Sequence, residues 1–416
     1  MTKAQLKTSP QPTTQSTLPI MLVICGCLIA MLTFGPRSAM GFFQDPMLEM
    51  RGWDRTTFGL AMAIQNIIWG IGQPFFGAVS DRYGTWRVLA LSGMFYSSGL
   101  YLMSIAETAT MLHLSGGVLI GLGIAAGSFS IVMAAFARNV PPEMRTIVFG
   151  IGTAAGSAGM ALFAPLSVAM ISNLGWHDSM VWMSLIMLAI PVLAIPFIKG
   201  AQGGKASVQE MEQTFGEALK EALGHQSYVL LVAGFFVCGF QVAFITVHFP
   251  PYLNEIGIEA KYAGIALMLI GLFNIVGSIA SGFIGQRYSK PIFLSLIYLG
   301  RSIAVTAFLV LPQSPTSVVI FASVMGLLWL STVAPTNSLV AGMFGTRYLG
   351  MLGGLVFLSH QVGSFLGVWL GGYLFDLFGT YDPVWWLGVG LGIFAAIVHW
   401  PIKEAAVSRA PVAARG

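Results

Sequence analysis

Charge is what this sequence has least of. Only 9% of its residues are Asp, Glu, Lys or Arg, against about 25% in a soluble globular domain. A chain of 416 residues so poor in charge cannot cover a water-facing globule, which excludes a soluble enzyme. The 3 cysteines, Cys25, Cys27 and Cys238, all lie in apolar runs and offer neither a disulfide framework nor metal-ligand spacing. Cys25-x-Cys27 reads as two small core residues. There is no H-E-x-x-H and no lysine-bearing phosphate loop, so neither a metal nor a cofactor is expected. The net charge of +4 is scattered over short loops, not gathered into a patch, and argues against a nucleic-acid partner.

What the chain has in abundance is long apolar runs. It is 56% hydrophobic, with a mean hydropathy of +0.79, and a bilayer crossing needs about 20 mostly apolar residues. Twelve such runs occur: 20–43, 57–80, 88–106, 110–137, 146–172, 179–198, 227–253, 262–285, 291–311, 317–343, 348–375 and 384–402. They are too long and too unalternating for barrel strands, so they read as helices of an all-α integral membrane protein.

An even number of crossings puts both termini on one side. With that side cytoplasmic it holds Lys3, Lys7, Arg82, Arg87, Arg138, Arg145, Lys199, Lys205, Lys220, Arg287, Lys290, Arg347, Lys403, Arg409 and Arg415. The other side holds Arg51, Arg55 and Lys261. This bias predicts cytoplasmic termini in a plasma membrane, an inner membrane if the source is bacterial. The polar residues 1–18 read as a disordered tail without a cleavable signal.

The longest connection, 199–226, divides the chain into an N-terminal half (1–198) and a C-terminal half (227–416). It opens "KGAQGGKAS", then Ser207 and Glu210 fit a capping box ahead of apolar residues at helical spacing. A cytoplasmic amphipathic helix is expected there. The two halves repeat at an offset of 204–205: Gly35–Arg37 with Gly239–Gln241, Gly77–Gly84 with Gly282–Ser289, Gly175–Trp182 with Gly379–Trp386. The architecture is therefore six helices plus six, as parallel repeats.

The segment "GAVSDRYGTWRV" has the form G-x-x-x-D-R-x-G-x-x-R. It resembles the signature of the major facilitator superfamily, and Gly282–Ser289 resembles its degenerate second copy. Gly77 would allow close helix approach, Gly84 a positive φ, and Asp81 would accept hydrogen bonds at a helix end. Arg82 and Arg87 would hold the loop on the cytoplasmic side. The resemblance implies a secondary transporter with alternating access, its substrate held near midplane between the halves, and Asp81 with its basic neighbours in the gate. A narrower resemblance, carried by "GPRSAMGFFQDPMLEMRGWDRTTFGLAMAI", is to the bacterial branch of the monocarboxylate transporters, with Arg37 where that family places its cation. Animal members carry an aspartate and an arginine in helix 8, where this chain has Asn274 and Ser278.

The twelve apolar runs contain two cations, Arg37 and Arg301, and no Asp or Glu. A cation at that depth faces the bundle interior and needs a partner. With no carboxylate available, the partners are backbone carbonyls, cavity water or an anionic substrate. Arg37 is expected to bind the substrate. Arg301 is expected either to do the same or to satisfy carbonyls at a broken helix, because the resemblance implies that span 9 is peripheral. Gln241, Asn274, His360 and Gln361 are candidates for the rest of the site, with Gln65 and Asn337 at similar depth. His360 either carries a co-transported proton or makes an interhelical hydrogen bond, and His248 lies nearer the outer end of its span. The expected activity is transport of a small organic anion, a monocarboxylate, by proton symport or anion exchange, through a monomer. The alternative is proton-driven efflux of lipophilic drug-like compounds, whose chemistry calls for an intramembrane carboxylate.

Overall fold

The computed structural model describes residues 19–140, 142–201, 215–345 and 349–407. The expected tail, the Ser207–Glu210 capping box and the side chain of Asp81 lie outside the described residues. No strand occurs among those described, and nine of their helical stretches are long and apolar enough to cross a membrane. One of these, Val148–Ile198, is 51 residues long, about twice what a bilayer needs. It turns at Gly175, where φ is +79°, and so makes two crossings. Arg55–Tyr83 and Thr85–Ser104 complete the expected twelve. They are less apolar because they carry polar side chains buried within the protein, among them Gln65, Asn66 and Ser92.

In chain order, spans 1 to 6 are Ile20–Arg51, Arg55–Tyr83, Thr85–Ser104, 109–139, 142–174 and 176–198. Spans 7 to 12 are Gln226–Glu255, Ala260–Arg287, Lys290–Val310, Pro315–Phe344, Leu349–Phe378 and Asp382–His399. Several helices run beyond the apolar stretches read from sequence. Span 1 continues through a 3-10 turn at Met40–Phe43 into Gln44–Arg51, and span 11 reaches Phe378. The expectation that no acid lies on a span is corrected accordingly: Asp45, Glu255, Asp376 and Asp382 occupy terminal turns. Of the linker, Phe215–Gly224 is helical, with Ala218 and Ala222 on its buried side.

The backbone carries the internal repeat further than the residues do. Gly52 and Gly257 both turn with positive φ (68° and 76°), as do Gly175 and Gly379 (79° and 71°), at the same sequence offset. Spans 4 and 10 are both interrupted midway, the first at Gly127–Ser128 and the second between Leu328 and Val333. One apolar core is built mainly from residues of the first half, the other mainly from the second. Between the halves, span 2 packs along span 11 and span 5 along span 8.

The two ends of the span 2–span 11 seam differ. Toward Arg55 it is tight: a Cβ at Gly59 would sit 3.0 Å from the Val368 carbonyl. Toward Asp81 it is parted by a cavity of about 200 Å³ lined by Gln73, Gly77, Ser80, Ser130, Gly354 and Phe357. A Cβ at Gly77 or Gly354 would meet nothing within 4 Å. Gly77, expected to allow close helix contact, here faces open space. The span 2–span 11 seam is thus closed at its Arg55 end and open at its Asp81 end.

Candidate functional site

Pro36 and Arg37 end the first helical segment of span 1, just before the 3-10 turn. A cation at a helix C-terminus is favoured by the carbonyl ends there. Arg37 reaches across to span 2, where Nη2 donates to Asn66 Oδ1 at 2.7 Å. Its guanidinium lies over the Trp69 ring, 4.8 Å from the centroid. Its Nε is buried and has no hydrogen-bond partner. Among the described residues no carboxylate pairs with it. The guanidinium thus keeps one donor free of any partner among the described residues.

Asn66 connects this cation to the other half. Its backbone carbonyl accepts Gln361 Nε2 from span 11 at 3.1 Å, and its own Nδ2 donates to the Met62 carbonyl at 2.9 Å. Gln361 Oε1 lies 2.9 Å from His360 Nδ1. The His360 ring stacks on Phe357 with centroids 5.9 Å apart. Phe357 meets Trp69 edge-on at 5.2 Å, and Trp69 meets Phe34 at 5.8 Å. Trp69 Nε1 donates to Gln73 Oε1 at 3.0 Å. Gln73 and Phe357 line the cavity, and both contact Trp69, whose ring carries the Arg37 guanidinium.

Of the residues read from sequence, the structure brings Arg37, Gln361 and His360 together. Arg301 is elsewhere. It is fully buried, with Nε and Nη2 donating to the Leu328 carbonyl at 3.1 and 2.6 Å and Nη2 also to the Trp329 carbonyl. Nη1 contacts Gln241 Oε1 at 3.4 Å. These carbonyls lie where span 10 breaks, so Arg301 fulfils the broken-helix alternative. Gln241 donates to the Gly388 carbonyl at 2.9 Å, inside the second half. Asn274 bridges the halves at another seam: Nδ2 donates to Ser157 Oγ at 2.9 Å, and Oδ1 accepts the Leu330 N–H at 3.0 Å. Gln65 donates to the Gly116 carbonyl within its own half, and Asn337 is exposed.

The repeat explains why the two cations behave differently. Gln241 is the mate of Arg37, and Tyr96, fully buried beside Arg37, is the mate of Arg301. Each half thus places one cation on this pair of positions. The first half uses the inner member on span 1, the second the outer member on span 9.

In the signature segment, Gly84 has the expected positive φ, +95°. Arg87 Nη1 donates to the Tyr83 carbonyl at 2.5 Å, and Arg82 lies over the Tyr83 ring at 5.3 Å. Arg138 Nη2 donates to Thr85 Oγ1 at 2.8 Å, tying span 4 to the turn.

The Arg55 face holds a second cluster that sequence reasoning passed over. Arg55 pairs with Asp45 at 3.1 Å and donates to Tyr381 Oη at 2.7 Å. Its guanidinium lies 4.1 Å from the Phe375 centroid. Asp376 accepts the backbone N–H groups of Arg55 and Thr56. His248 joins from span 7, with Nδ1 3.3 Å from Tyr381 Oη and Nε2 2.8 Å from the Val368 carbonyl. Burial pushes the Tyr381 phenol up, while the Arg55 cation opposes that rise. Its proton therefore stays on at ordinary pH.

Asn66 and Trp69 were also missed. The signal was present: Asn66, Trp69 and Gln73 fall on one face of span 2 at helical spacing. Gln65, one residue earlier, is turned about 100° away.

The sequence model of the Major Facilitator Superfamily matches residues 22–367. Among curated relatives, monocarboxylate transporter 13 of Rattus norvegicus is 24% identical over 395 residues, covering 91% of this chain and 89% of its own. The hexuronate transporter of Bacillus subtilis is 22% identical over 404 residues, with 91% and 93% covered. Among solved structures, a bacterial homologue of the human lysosomal transporter Spinster, inward-facing and unoccupied, superposes with a TM-score of 0.74 at 14% identity. That superposition covers 92% of this chain and 97% of the other. With twelve spans in two repeats, a seam closed at one end and open at the other, and a family match over most of its length, the chain belongs to the major facilitator superfamily and is a transporter.

Proposed function

We propose that this transporter carries a small organic anion, a monocarboxylate, on Arg37, by alternating access between the halves. The observation that carries the reading is the state of Arg37: an intramembrane cation with no carboxylate partner among the described residues and a buried, unpartnered Nε. Such a group is costly in a membrane protein unless something from outside completes it. Relatives that carry acids, by their names a monocarboxylate and a hexuronate transporter, are consistent with it. The cytoplasmic side is read as the Asp81 face from the charge bias, which makes the present conformation inward-open. Arg82, Gly84 and Arg87, with Asp81, then belong to the gate on that side. The site is completed within one chain, in keeping with a functional monomer.

Two couplings fit. In exchange, one anion replaces another on Arg37 and no proton site is needed. In symport, the proton resides on His360, joined to Arg37 through Gln361 and Asn66. Efflux of lipophilic cations has less support, because the acids nearest the seam, Asp45 and Asp376, are engaged at the closed face.

The test is uptake into proteoliposomes of a labelled monocarboxylate, with and without a pH gradient and with and without unlabelled acid inside. Stimulation by internal acid alone assigns exchange, and stimulation by the gradient assigns symport. No acid uptake under any condition, with transport of a lipophilic cation, overturns the anion reading. Reporter fusions at the C-terminus and at Gln313 are expected to report opposite sides. A C-terminal reporter found outside would reverse the assigned orientation.

A further inference from the structure

We infer that the acid carried is one carboxylate on a planar apolar body, an aryl or arylalkyl monocarboxylate whose ring sits against Trp69 and Phe357. This deepens the reading of Arg37 as the anion ligand and rests on it.

Three observations carry it. First, aromatic rings link the cavity lining to Arg37. Trp69 lies under the guanidinium, Phe357 meets Trp69 edge-on and lines the cavity, and Phe34 closes the other side of Trp69. Phe34 and Phe357 are only half-buried, so each ring keeps some uncovered surface, although His360 stacks on one face of Phe357. Aromatic groups favour such edge and offset arrangements with one another.

Second, the Asn66 and Gln361 amides beside Arg37 already have partners, while Tyr96 Oη, buried beside it, has none. Asn66 Oδ1 takes Arg37, Asn66 Nδ2 and its carbonyl are bonded, Gln361 Oε1 meets His360, and Gln73 Oε1 takes Trp69. A hydroxyl-rich sugar acid would have to desolvate several hydroxyls where the Asn66 and Gln361 amides are already satisfied and Tyr96 Oη could take one of them. Unpaired buried hydroxyls are penalised heavily enough to reject such a ligand.

Third, of the two intramembrane arginines among the described residues, Arg37 has a free donor and Arg301 does not. Arg301 is held by the Leu328 and Trp329 carbonyls. A second carboxylate would find no charge partner among the described residues at this depth.

The experiment is binding to the purified full chain, by thermal shift and calorimetry, of phenylacetate, lactate, glucuronate, succinate and phenylacetamide. Phenylacetate is expected to bind on the order of tenfold more tightly than lactate. Glucuronate, succinate and the amide are expected to bind more weakly than phenylacetate by at least that factor. Trp69→Leu and Phe357→Leu should each pull the phenylacetate-to-lactate ratio toward one, by lowering phenylacetate affinity more than lactate affinity. Retained lactate binding shows that the variants are folded. If either leucine variant fails to fold, Trp69→Phe and Phe357→Tyr, which keep a ring, should retain most of the preference. Lactate or glucuronate binding as tightly as phenylacetate, or a ratio that survives both leucine variants, overturns the inference but not the anion reading. Equal binding of phenylacetate and its amide overturns both.

Discussion

Asp376 of span 11 accepts the backbone N–H of Thr56, in the first turn of span 2, at 2.6 Å, and that of Arg55 at 3.1 Å. The first N–H groups of a helix have no partner within it and are ordinarily satisfied by the chain's own capping residue. Here Asp54 does this for Thr57 only, at 2.7 Å. The remaining donors are capped by an acid 320 residues away, from the opposite half. A cap in trans ties the two halves while this face is closed and must be surrendered when it opens. The Arg55–Asp45 pair and the Tyr381 hydrogen bond reinforce the same junction.

Asp376→Asn should therefore favour the state open at the Arg55 face. The hydrogen bonds are exposed, so the loss is about 1 kcal/mol, roughly a fivefold shift in population. The readout is the labelling rate of a cysteine at Val247, buried here at 5% exposure, by a membrane-impermeant maleimide. Cys25, Cys27 and Cys238 would first be replaced by serine. An unchanged rate would show that the trans cap does not hold this face shut.

Gly372 probes the same seam by sterics. A Cβ there would fall on the Arg55 carbonyl oxygen, and backbone cannot retreat as a flexible side chain does. Gly372→Ala should raise Val247 cysteine labelling more than Asp376→Asn does, and should slow transport. Wild-type labelling together with wild-type transport would mean that the helices part at no cost.

The two buried arginines should respond in opposite ways to loss of charge. Arg37→Gln removes a cation without a carboxylate partner, so the thermal midpoint is expected to hold or rise while acid binding disappears. Arg37→Lys should keep part of the binding, since the charge survives but the planar fork does not. Arg301→Gln strands the Leu328 and Trp329 carbonyls, at about 1–3 kcal/mol apiece, and should lower the midpoint by several degrees. A stable Arg301→Gln protein that fails to bind acid would move Arg301 into the substrate site.

At the Asp81 face, Glu404 accepts from the Lys290 backbone N–H at 2.7 Å and its ammonium at 2.9 Å. Partial burial works against the charged carboxyl, but these bonds prevail and hold it below its usual range. The stabilisation is thus present above the ordinary carboxylate range and is lost as pH falls through the lowered value. Because the pair is partly exposed, it contributes less than about 1 kcal/mol. Melting curves of wild type and Glu404→Gln should differ slightly at pH 7 and converge below about pH 4. A gap that persists into acid would place the effect outside this ion pair.

Hydropathy and the repeat were enough to read twelve helices in two related halves. These follow from the sequence alone because the bilayer forces each apolar run into one form, a spanning helix with its backbone satisfied internally. Where each helix faces is a different kind of information. Gln65 and Asn66 are neighbours at the same depth, yet one donates to Gly116 in its own half and the other receives Arg37. Arg37 and Arg301 read alike as lone cations, and only the packing of spans 9 and 10 reveals that Arg301 is committed to carbonyls. Asp376 and Arg55 looked like loop residues outside the apolar runs. Their pairing across 321 positions required the halves to close on one face, and no local pattern encodes that contact. Depth is a property of each run by itself, whereas azimuth and partnership are set by which helices come to lie together.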